Sequence, residues 1–191
     1  MRITGGRAKG IQLIVPEDIE SLRPTTDYIR ESVFSSIKGK SSNAMFLDLF
    51  AGIGSYGLEA ISRGASAGIF VEQNAAAVKA IEENIKLVKK SAQRIPSCKV
   101  LCQDVFEVPA LLNSEFDMIF IDPPYSMIDE FGEQLLTTFG PFLKKGENAR
   151  LMFEVPARYK TPQIRGLVEI RRLGRIASAN HPNVIVYTRV Q

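Results

Sequence analysis

Apolar runs and helical patterns alternate along this chain from residue 44 onward, and this alternation restricts the fold more than any other feature. The first run, AMFLDLF at 44–50, is apolar almost throughout, as expected of a strand that is buried on both faces. Strands that alternate with helices are typical of a parallel sheet with helices on both of its faces. The predicted strands are 44–50, 67–72, 99–104, 116–122 and 149–155, and the predicted helices are 55–64, 74–90 and 128–140.

The segment ahead of the first strand predicts a small cap. Residues 2–16 indicate a hairpin that turns at 5–6 or at 8–10, where glycines occur. A helix should begin at Thr26 or Asp27, after a proline-containing approach. Its buried face is expected to consist of Ile29, Val33, Phe34 and Ile37.

The tail carries two further strand-like runs, at 167–176 and 183–190, which we expect to pair as a hairpin. The expected fold is therefore an α/β sheet that is mostly parallel, with an antiparallel C-terminal strand. A chain of 191 residues suits one domain. We expect residues 1–40 to form a hairpin-and-helix cap that belongs to the same domain as residues 41–191.

A glycine-rich stretch, DLFAGIGSYG, joins the first strand to the first helix of the core. Gly52, Gly54 and Gly57 fit the pattern G-x-G-x-x-G, and Glu72 follows Gly52 by twenty residues at the end of the next strand. Such a loop lets the backbone approach a nucleotide-like ligand, and an acid at that distance can hold ribose hydroxyls. The alternative is that the glycines serve only a tight turn between strand and helix.

Two more acids are expected beside this loop. Asp48 lies near the end of the first strand, and Asp104 ends the third predicted strand. A pyrophosphate at the helix N-terminus would disfavour nearby negative charge, whereas Asp48 suits a ligand with a cationic end. The amino group and sulfonium of S-adenosylmethionine supply that end, and Asp104 is placed to bind the adenine amino group. With Glu72, the acids line the crevice where open α/β sheets bind ligands, and together they favour this cofactor.

Four motifs resemble one enzyme family. LDLFAGIGSYGLEAISRG, VE at 71–72, DPPY at 122–125 and LRPTTDYIRESVF are similar to the ribosomal RNA guanine-N2 methyltransferases that act on 16S RNA. DPPY is typical of enzymes that methylate an exocyclic or amide nitrogen, and RPTTD followed by R-E-x-x-F narrows the resemblance to this family. It implies a Rossmann-like class I methyltransferase sheet, S-adenosylmethionine as cofactor, and 16S rRNA as substrate, either free or within a small-subunit assembly particle. The expected cofactor contacts are Asp48, Phe50, Ala51, Gly52, Gly54, Glu72, Asp104, Val105 and Asp122.

The DPPY motif supplies groups for chemistry at an amino nitrogen. Guanine N2 is a poor nucleophile because its lone pair is delocalised into the ring. The Asp122 carboxylate and the Pro123 carbonyl can accept hydrogen bonds from its two N–H groups, which favours a pyramidal nitrogen, and the fixed φ of proline holds the carbonyl still. Asp122 can also accept the proton, and Tyr125 can stack on the base, which is worth about 1–3 kcal/mol. The alternative is a rigid turn after a buried strand.

Charge is distributed unevenly, with basic ends on an acidic middle. Residues 141–191 hold ten Lys or Arg against three Asp or Glu, whereas 41–140 hold seven against thirteen. This distribution indicates a polyanion that is bound from the edges, although an unevenly charged solvated surface would look the same. Arginines and lysines near the N-terminus are expected to contact phosphates, and the RPTTD residues to close over cofactor or base. The substrate-binding candidates are Arg2, Arg7, Lys9, Arg23, Thr25, Thr26, Asp27, Arg30 and Tyr125.

Cysteine and histidine content argue against a metal. Cys98 and Cys102 are expected to be reduced thiols, and with one histidine in the chain a zinc site has too few soft ligands. No apolar run approaches the roughly 18 residues of a membrane span, and the N-terminus lacks the apolar block of a signal peptide. We therefore expect a cytoplasmic protein without metal or membrane partner, acting as a monomer.

Several other functions share part of this pattern. A nicotinamide oxidoreductase has the glycine loop but leaves DPPY and Asp48 unexplained. A DNA adenine or cytosine amino methyltransferase, or a protein glutamine methyltransferase, uses the same tetrapeptide. Carbon-5 methylation of a pyrimidine would need a cysteine nucleophile in the crevice, and a non-catalytic RNA-binding module would transfer no methyl group.

Overall fold

The computed structural model of the chain describes residues 1–16, 26–174 and 181–190. Seven strands and four α-helices lie in these residues, with short 3₁₀ helices at Val105–Leu111 and Gly140–Phe142. The strands are β1 (Met45–Leu49), β2 (Ala67–Glu72), β3 (Ser97–Cys102), β4 (Met118–Ile121), β5 (Arg150–Pro156), β6 (Leu167–Leu173) and β7 (Pro182–Arg189). The helices are α1 (Asp27–Ser36), α2 (Ser55–Ser62), α3 (Ala75–Ala92) and α4 (Tyr125–Phe139).

All seven strands form one sheet, in the order β3-β2-β1-β4-β5-β7-β6. Strands β1 to β5 are parallel, and β7 runs antiparallel to both β5 and β6. The predicted parallel core and C-terminal hairpin are therefore confirmed. The chain passes from β1 to β2 on one side and returns to β4 on the other, so the sheet has a topological switch point between β1 and β4. Open α/β sheets bind their ligands at the carboxyl ends of the strands at such a point.

Each face of the sheet packs on its own core. Phe46, Phe70 and Phe120 lie on the face covered by α1, α2 and α3, and Leu47 and Phe153 lie on the face covered by α4. This alternation follows from the pleat, which sends successive side chains to opposite faces. Burial of both faces explains why the core strands read as continuous apolar runs.

Helix α1 begins as the sequence predicted. The Thr26 hydroxyl accepts the Ile29 N–H, which caps the helix at the predicted position. The predicted inner face, including Val33 and Ile37, is buried and belongs to the same core as Phe120 of the sheet. The cap helix and the sheet thus share one hydrophobic core.

The predicted N-terminal hairpin is present but short. Arg2 and Gln12 form an antiparallel bridge, and the Ile3 and Leu13 N–H groups donate across it to the Ile11 and Met1 carbonyls at 2.9 and 3.0 Å. The backbone N–H groups of Thr4 and Arg7 do not pair with a partner strand. They donate instead to the Glu59 carboxylate and to the Ser62 carbonyl of α2, both at 2.8 Å. The connection between the two arms of the hairpin is therefore bound to α2.

Helix α4 begins three residues earlier than predicted, directly at Tyr125. Pro124 occupies the N-cap position in an extended conformation, with φ −52° and ψ 135°. A proline before a helix costs no hydrogen bond, because the first N–H groups of a helix have no intrahelical partner. The DPPY motif is therefore a corner between the end of β4 and the start of α4. No described helix is both long and apolar enough to span a bilayer.

Candidate cofactor and base-binding site

The glycine loop turns sharply as the chain leaves β1. Phe50, Gly52 and Gly54 all have left-handed backbones, with φ of 57°, 56° and 84°. For Phe50 this conformation costs about 1–2 kcal/mol, because its Cβ atom lies close to the following carbonyl oxygen, whereas glycine has no Cβ atom. The Ala51 N–H donates to the Val71 carbonyl at 2.9 Å, so the loop is held against the end of β2.

Gly57, the third glycine of the motif, serves the packing of α2 on the sheet. A Cβ atom there would lie 2.3 Å from the Phe70 ring and 2.6 Å from the Phe46 ring. Distances this short do not occur between real side chains, so only glycine allows α2 to approach β1 and β2. This is the packing role that the third glycine has in nucleotide-binding loops.

Asp48 lies beneath the loop. Its side chain is 2% exposed, and its Oδ2 accepts the Gly57 N–H at 2.8 Å. Burial raises the pKa of Asp48 well above its usual range, and the charges of Asp122 and Glu72 raise it further, against a lowering by the Gly57 hydrogen bond. The carboxylate thus fixes the start of α2, and its direct contact with a cofactor stays a prediction.

Glu72 connects the loop to α3. One of its carboxylate oxygens accepts the Gly52 N–H and the other accepts the Asn74 N–H, both at 2.8 Å. Asp104 lies two residues beyond the end of β3 and is exposed. Its Oδ1 accepts the Phe106 N–H at 2.9 Å and caps the 3₁₀ helix that starts at Val105, which is buried. The ribose and adenine contacts predicted for these acids stay predictions.

Asp122 stands at the switch point. Its backbone N–H donates to the Leu49 carbonyl at 3.4 Å, which places it beside the end of β1. The side chain is partly exposed, Pro123 is buried, and Tyr125 is half-buried at the start of α4. The fold therefore brings Asp122 to the end of the sheet where Asp48 and Glu72 lie.

Two residues of this region, Tyr56 and Glu154, were not predicted from the sequence. Glu154 is 5% exposed near the end of β5, and the Tyr56 hydroxyl donates to its Oε2 at 3.0 Å. The Tyr56 ring stacks on Phe120, with centroids 5.0 Å apart and planes 15° apart. A carboxylate in a strand that is buried on both faces indicates a functional or structural role for that residue. The run 149–155 by itself predicts only a strand.

The prediction that Arg30 contacts RNA is wrong. Its side chain is completely buried, and its guanidinium lies 2.7 Å from Asp27 and 3.5 Å from Glu59. It also donates to the Arg2 carbonyl at 2.6 Å. Arg30 is thus an internal cation whose ion pair with Glu59 joins α1 to α2.

Arg7 and Lys9 lie away from the crevice at the carboxyl ends of the strands. Both side chains are exposed, but the Arg7 N–H donates to the Ser62 carbonyl at the C-terminal end of α2. Helix α2 starts at the glycine loop and runs back about 10 Å to the amino ends of the strands. The expectation that these residues lie beside the active-site mouth is therefore wrong, and contact with more distant phosphates stays a prediction.

The remaining substrate candidates are divided between described and undescribed parts of the chain. Thr26 is exposed and caps α1, while Asp27 forms ion pairs with Arg30 and, at 3.4 Å, with Arg2. Arg23 and Thr25 lie outside the described residues. The structure adds two cations that sequence analysis did not single out. Arg158 and Lys160 are exposed just beyond the carboxyl end of β5, and Arg158 lies 3.2 Å from Asp129 of α4.

Cysteines and other possible metal ligands form no site in the part of the chain that is described. Cys98 and Cys102 form no disulfide, and no group of three His, Cys, Asp or Glu could hold a metal ion among the described residues.

The sheet order, the antiparallel last strands and the glycine loop after β1 give this chain the fold of the class I methyltransferases. A solved structure with this fold, the putative methyltransferase yhhF from Escherichia coli, superposes with a TM-score of 0.81 at 26% identity, over 99% of this chain and 97% of that chain. The chain belongs to the family described as conserved hypothetical protein 95, whose model matches residues 1–179.

Two relatives are similar in sequence. Ribosomal RNA small subunit methyltransferase D of E. coli K12 is 34% identical over 125 residues, which span 65% of this chain but only 60% of that protein. The putative rRNA methyltransferase YlbH of Bacillus subtilis is 32% identical over 168 residues, or 87% of this chain and 88% of that protein. These matches confirm the resemblance that the sequence motifs indicated.

Proposed function

We propose that the protein is an S-adenosylmethionine-dependent methyltransferase that forms N2-methylguanine in small-subunit ribosomal RNA. One observation carries the proposal. The Asp122 carboxylate begins a rigid proline corner at the switch point of the sheet, directly beside the glycine loop and the end of β1. This juxtaposition suits an amino group that is held against a cofactor.

S-adenosylmethionine would supply a methyl group on a positively charged sulfur. As the bond from the guanine amino nitrogen to the methyl carbon forms, the bond from that carbon to sulfur would break, giving N2-methylguanine, S-adenosylhomocysteine and a proton. Asp122 and the Pro123 carbonyl hold the two N–H groups, so that the nitrogen lone pair faces the methyl carbon. Asp122 takes the released proton and passes it to water. Positioning of this kind can supply roughly 7–11 kcal/mol of barrier reduction.

The acidic surroundings of the loop favour a cationic cofactor. The charges of Glu72 and Asp122 both raise the pKa of Asp48. Positive charge bound near the three groups would therefore stabilise all three carboxylates. In this proposal the loop from Phe50 to Gly54 approaches the cofactor through its backbone, Glu72 holds the ribose, and Asp104 with Val105 holds the adenine. A negatively charged dinucleotide would meet repulsion at the same place.

The substrate is proposed from the names of the relatives and the chemistry of the site. Both relatives are named as rRNA methyltransferases, one of them for the small subunit. A base must leave its stack to reach the corner at Asp122, so an RNA loop or a partly assembled particle is the expected form of the substrate. A small-subunit substrate in turn assigns the protein to the cytoplasm.

The product of the reaction tests this function. The protein is incubated with radiolabelled S-adenosylmethionine and with small-subunit RNA, or small-subunit particles, from a strain that lacks the enzyme. Nuclease digestion should yield labelled N2-methylguanosine. A labelled adenine or cytosine derivative, label in protein, or calorimetric binding of NAD in place of S-adenosylmethionine would overturn the proposal in favour of another class.

The salt dependence of RNA binding locates the phosphate contacts. We expect that alanine at both Arg158 and Lys160 weakens RNA binding and lowers the slope of log K against log salt by about 1.4, at roughly 0.7 per phosphate on single-stranded RNA. The matched control replaces Lys38 and Lys145, two exposed lysines just before β1 and β5, at the opposite end of the sheet. The double replacement of Arg7 and Lys9, measured in the same series, decides whether the RNA extends along α2. If a double variant leaves the slope unchanged, the two residues that it replaces do not contact RNA phosphates.

A further inference from the structure

Glu154 and Tyr56 form a buried pair that the methyl-transfer step above does not use. They are 5% and 4% exposed, and the Tyr56 hydroxyl donates to Glu154 Oε2 at 3.0 Å. Tyr56 is itself fixed, because its ring stacks on Phe120 and it belongs to the first turn of α2, directly after the glycine loop. The Glu154 carboxylate is thus held by Tyr56, whose position is fixed by the glycine loop that precedes α2.

Glu154 lies beside Asp122 on the same face of the sheet. Strands β4 and β5 are parallel, with Ile121 opposite Phe153, so Asp122 and Glu154 occupy the next position of each chain. Adjacent strands lie about 4.8 Å apart and side chains alternate between the faces, so both carboxylates leave the sheet side by side. Their charges also both raise the pKa of Tyr56, after the larger effect of burial, which shows that both lie close to its phenol.

Guanine carries a matching pair of donors on its Watson–Crick edge. Its ring N1–H lies next to the exocyclic amino group, and both donate hydrogen bonds. Adenine and cytosine present an accepting ring nitrogen beside their amino group, and an ionised carboxylate is acceptor-only. Two neighbouring carboxylates therefore fit guanine, whereas one of them would face a lone pair in adenine or cytosine.

We propose, on the basis of the proposed function, that Glu154 selects guanine by accepting a hydrogen bond from N1–H while Asp122 accepts from the amino group. A carboxylate has about four accepting positions, so the hydrogen bond from Tyr56 is compatible with this contact. Tyr56 is a positioning residue, which keeps Glu154 directed along the edge of the base.

Substitution of the target base tests the contact. The methylated guanosine, once located by mapping, is replaced by 2-aminopurine, which keeps the amino group but has an accepting N1. We expect the wild type to prefer guanine by about 100-fold or more in kcat/KM, since a buried donor or acceptor is left unpaired in the analogue. In Glu154→Gln the side-chain amide can donate to N1 of 2-aminopurine, and its oxygen is a weaker acceptor for N1–H of guanine than the carboxylate is. The preference should therefore fall to about 10-fold or less, because 2-aminopurine reacts faster and guanine more slowly than with the wild type. Any intrinsic difference in reactivity between the amino groups of guanine and 2-aminopurine cancels when the preference of the wild type is compared with that of Glu154→Gln.

Two further variants make the result decisive. Tyr56→Phe removes only the hydroxyl and should also narrow the preference for guanine, with cofactor affinity close to wild type. Glu82→Gln, at an exposed carboxylate of α3, should change nothing. Equal losses on guanine and 2-aminopurine, or an unchanged preference in Glu154→Gln, overturn the inference. Should Glu154→Gln fail to fold, an unchanged preference in Tyr56→Phe overturns it. Failure of the proposed function itself is seen earlier, as no methyl transfer by the wild type to guanosine-containing RNA.

Discussion

Replacing Asp122 by alanine should lower the rate of methyl transfer by about 10²–10⁴-fold, the range typical of a positioned acid–base group. The variant loses the acceptor that holds the amino group and the group that takes its proton. Asp122 belongs to a corner whose backbone is fixed by two prolines and by the hydrogen bond to Leu49. The loss should therefore stay local, and S-adenosylmethionine should bind with close to normal affinity, measured by calorimetry.

A radiolabelled-methyl assay measures the effect, and two variants interpret it. Asp122→Asn keeps an acceptor oxygen but cannot take the proton, so it separates positioning from proton acceptance. Glu130→Ala removes an exposed carboxylate from α4 and should leave turnover intact. Turnover retained in Asp122→Ala would exclude this residue from the chemistry.

The parallel core was predictable from sequence because its pattern is set locally. Strands such as β2, Ala67–Glu72, are buried on both faces and therefore appear as apolar runs bounded by loops. The glycine loop was predictable for the same reason, since its left-handed backbone at Gly52 and Gly54 permits few other residues. The start of α1 followed from a capping residue, Thr26, whose effect extends over only three positions.

Features that depend on distant partners were not predictable. The short N-terminal hairpin was predictable, but the donation of the Thr4 and Arg7 N–H groups to α2 was not, because no local pattern indicates it. Arg30 has the sequence context of a surface arginine, but it is buried in an ion pair with Glu59, which lies 29 positions later in the chain. Glu154 becomes a candidate only when the register places it beside Asp122. In each case the residue type was visible in the sequence, but its partner was fixed by the tertiary fold.

Glu59 is the residue through which the N-terminal cap is attached to the methyltransferase sheet. It is completely buried, and its carboxylate accepts the Thr4 N–H and hydroxyl at 2.8 and 2.9 Å and the Arg63 Nε at 2.7 Å. It also lies 3.5 Å from the buried guanidinium of Arg30. A single carboxylate thus accepts hydrogen bonds from the N-terminal segment and from the C-cap of α2, and forms an ion pair with a side chain of α1.

Glu59→Ala should therefore destabilise the protein by about 3–5 kcal/mol, because it removes the buried counterion of Arg30 and leaves that buried guanidinium paired with Asp27, which is partly exposed. For a chain of this size that loss corresponds to a fall of roughly 6–20 °C in the thermal midpoint, which calorimetry or circular dichroism measures. Glu83→Ala breaks an exposed ion pair, 2.7 Å from Lys86, and should hardly move the midpoint, since solvent already screens both charges. Adding Arg30→Met to Glu59→Ala removes the buried positive charge that has lost Glu59, so the double variant should regain part of the lost stability. A double variant less stable than Glu59→Ala alone would show that the cost of the single change comes from the lost packing and the lost hydrogen bonds of Thr4, and not from the buried charge of Arg30.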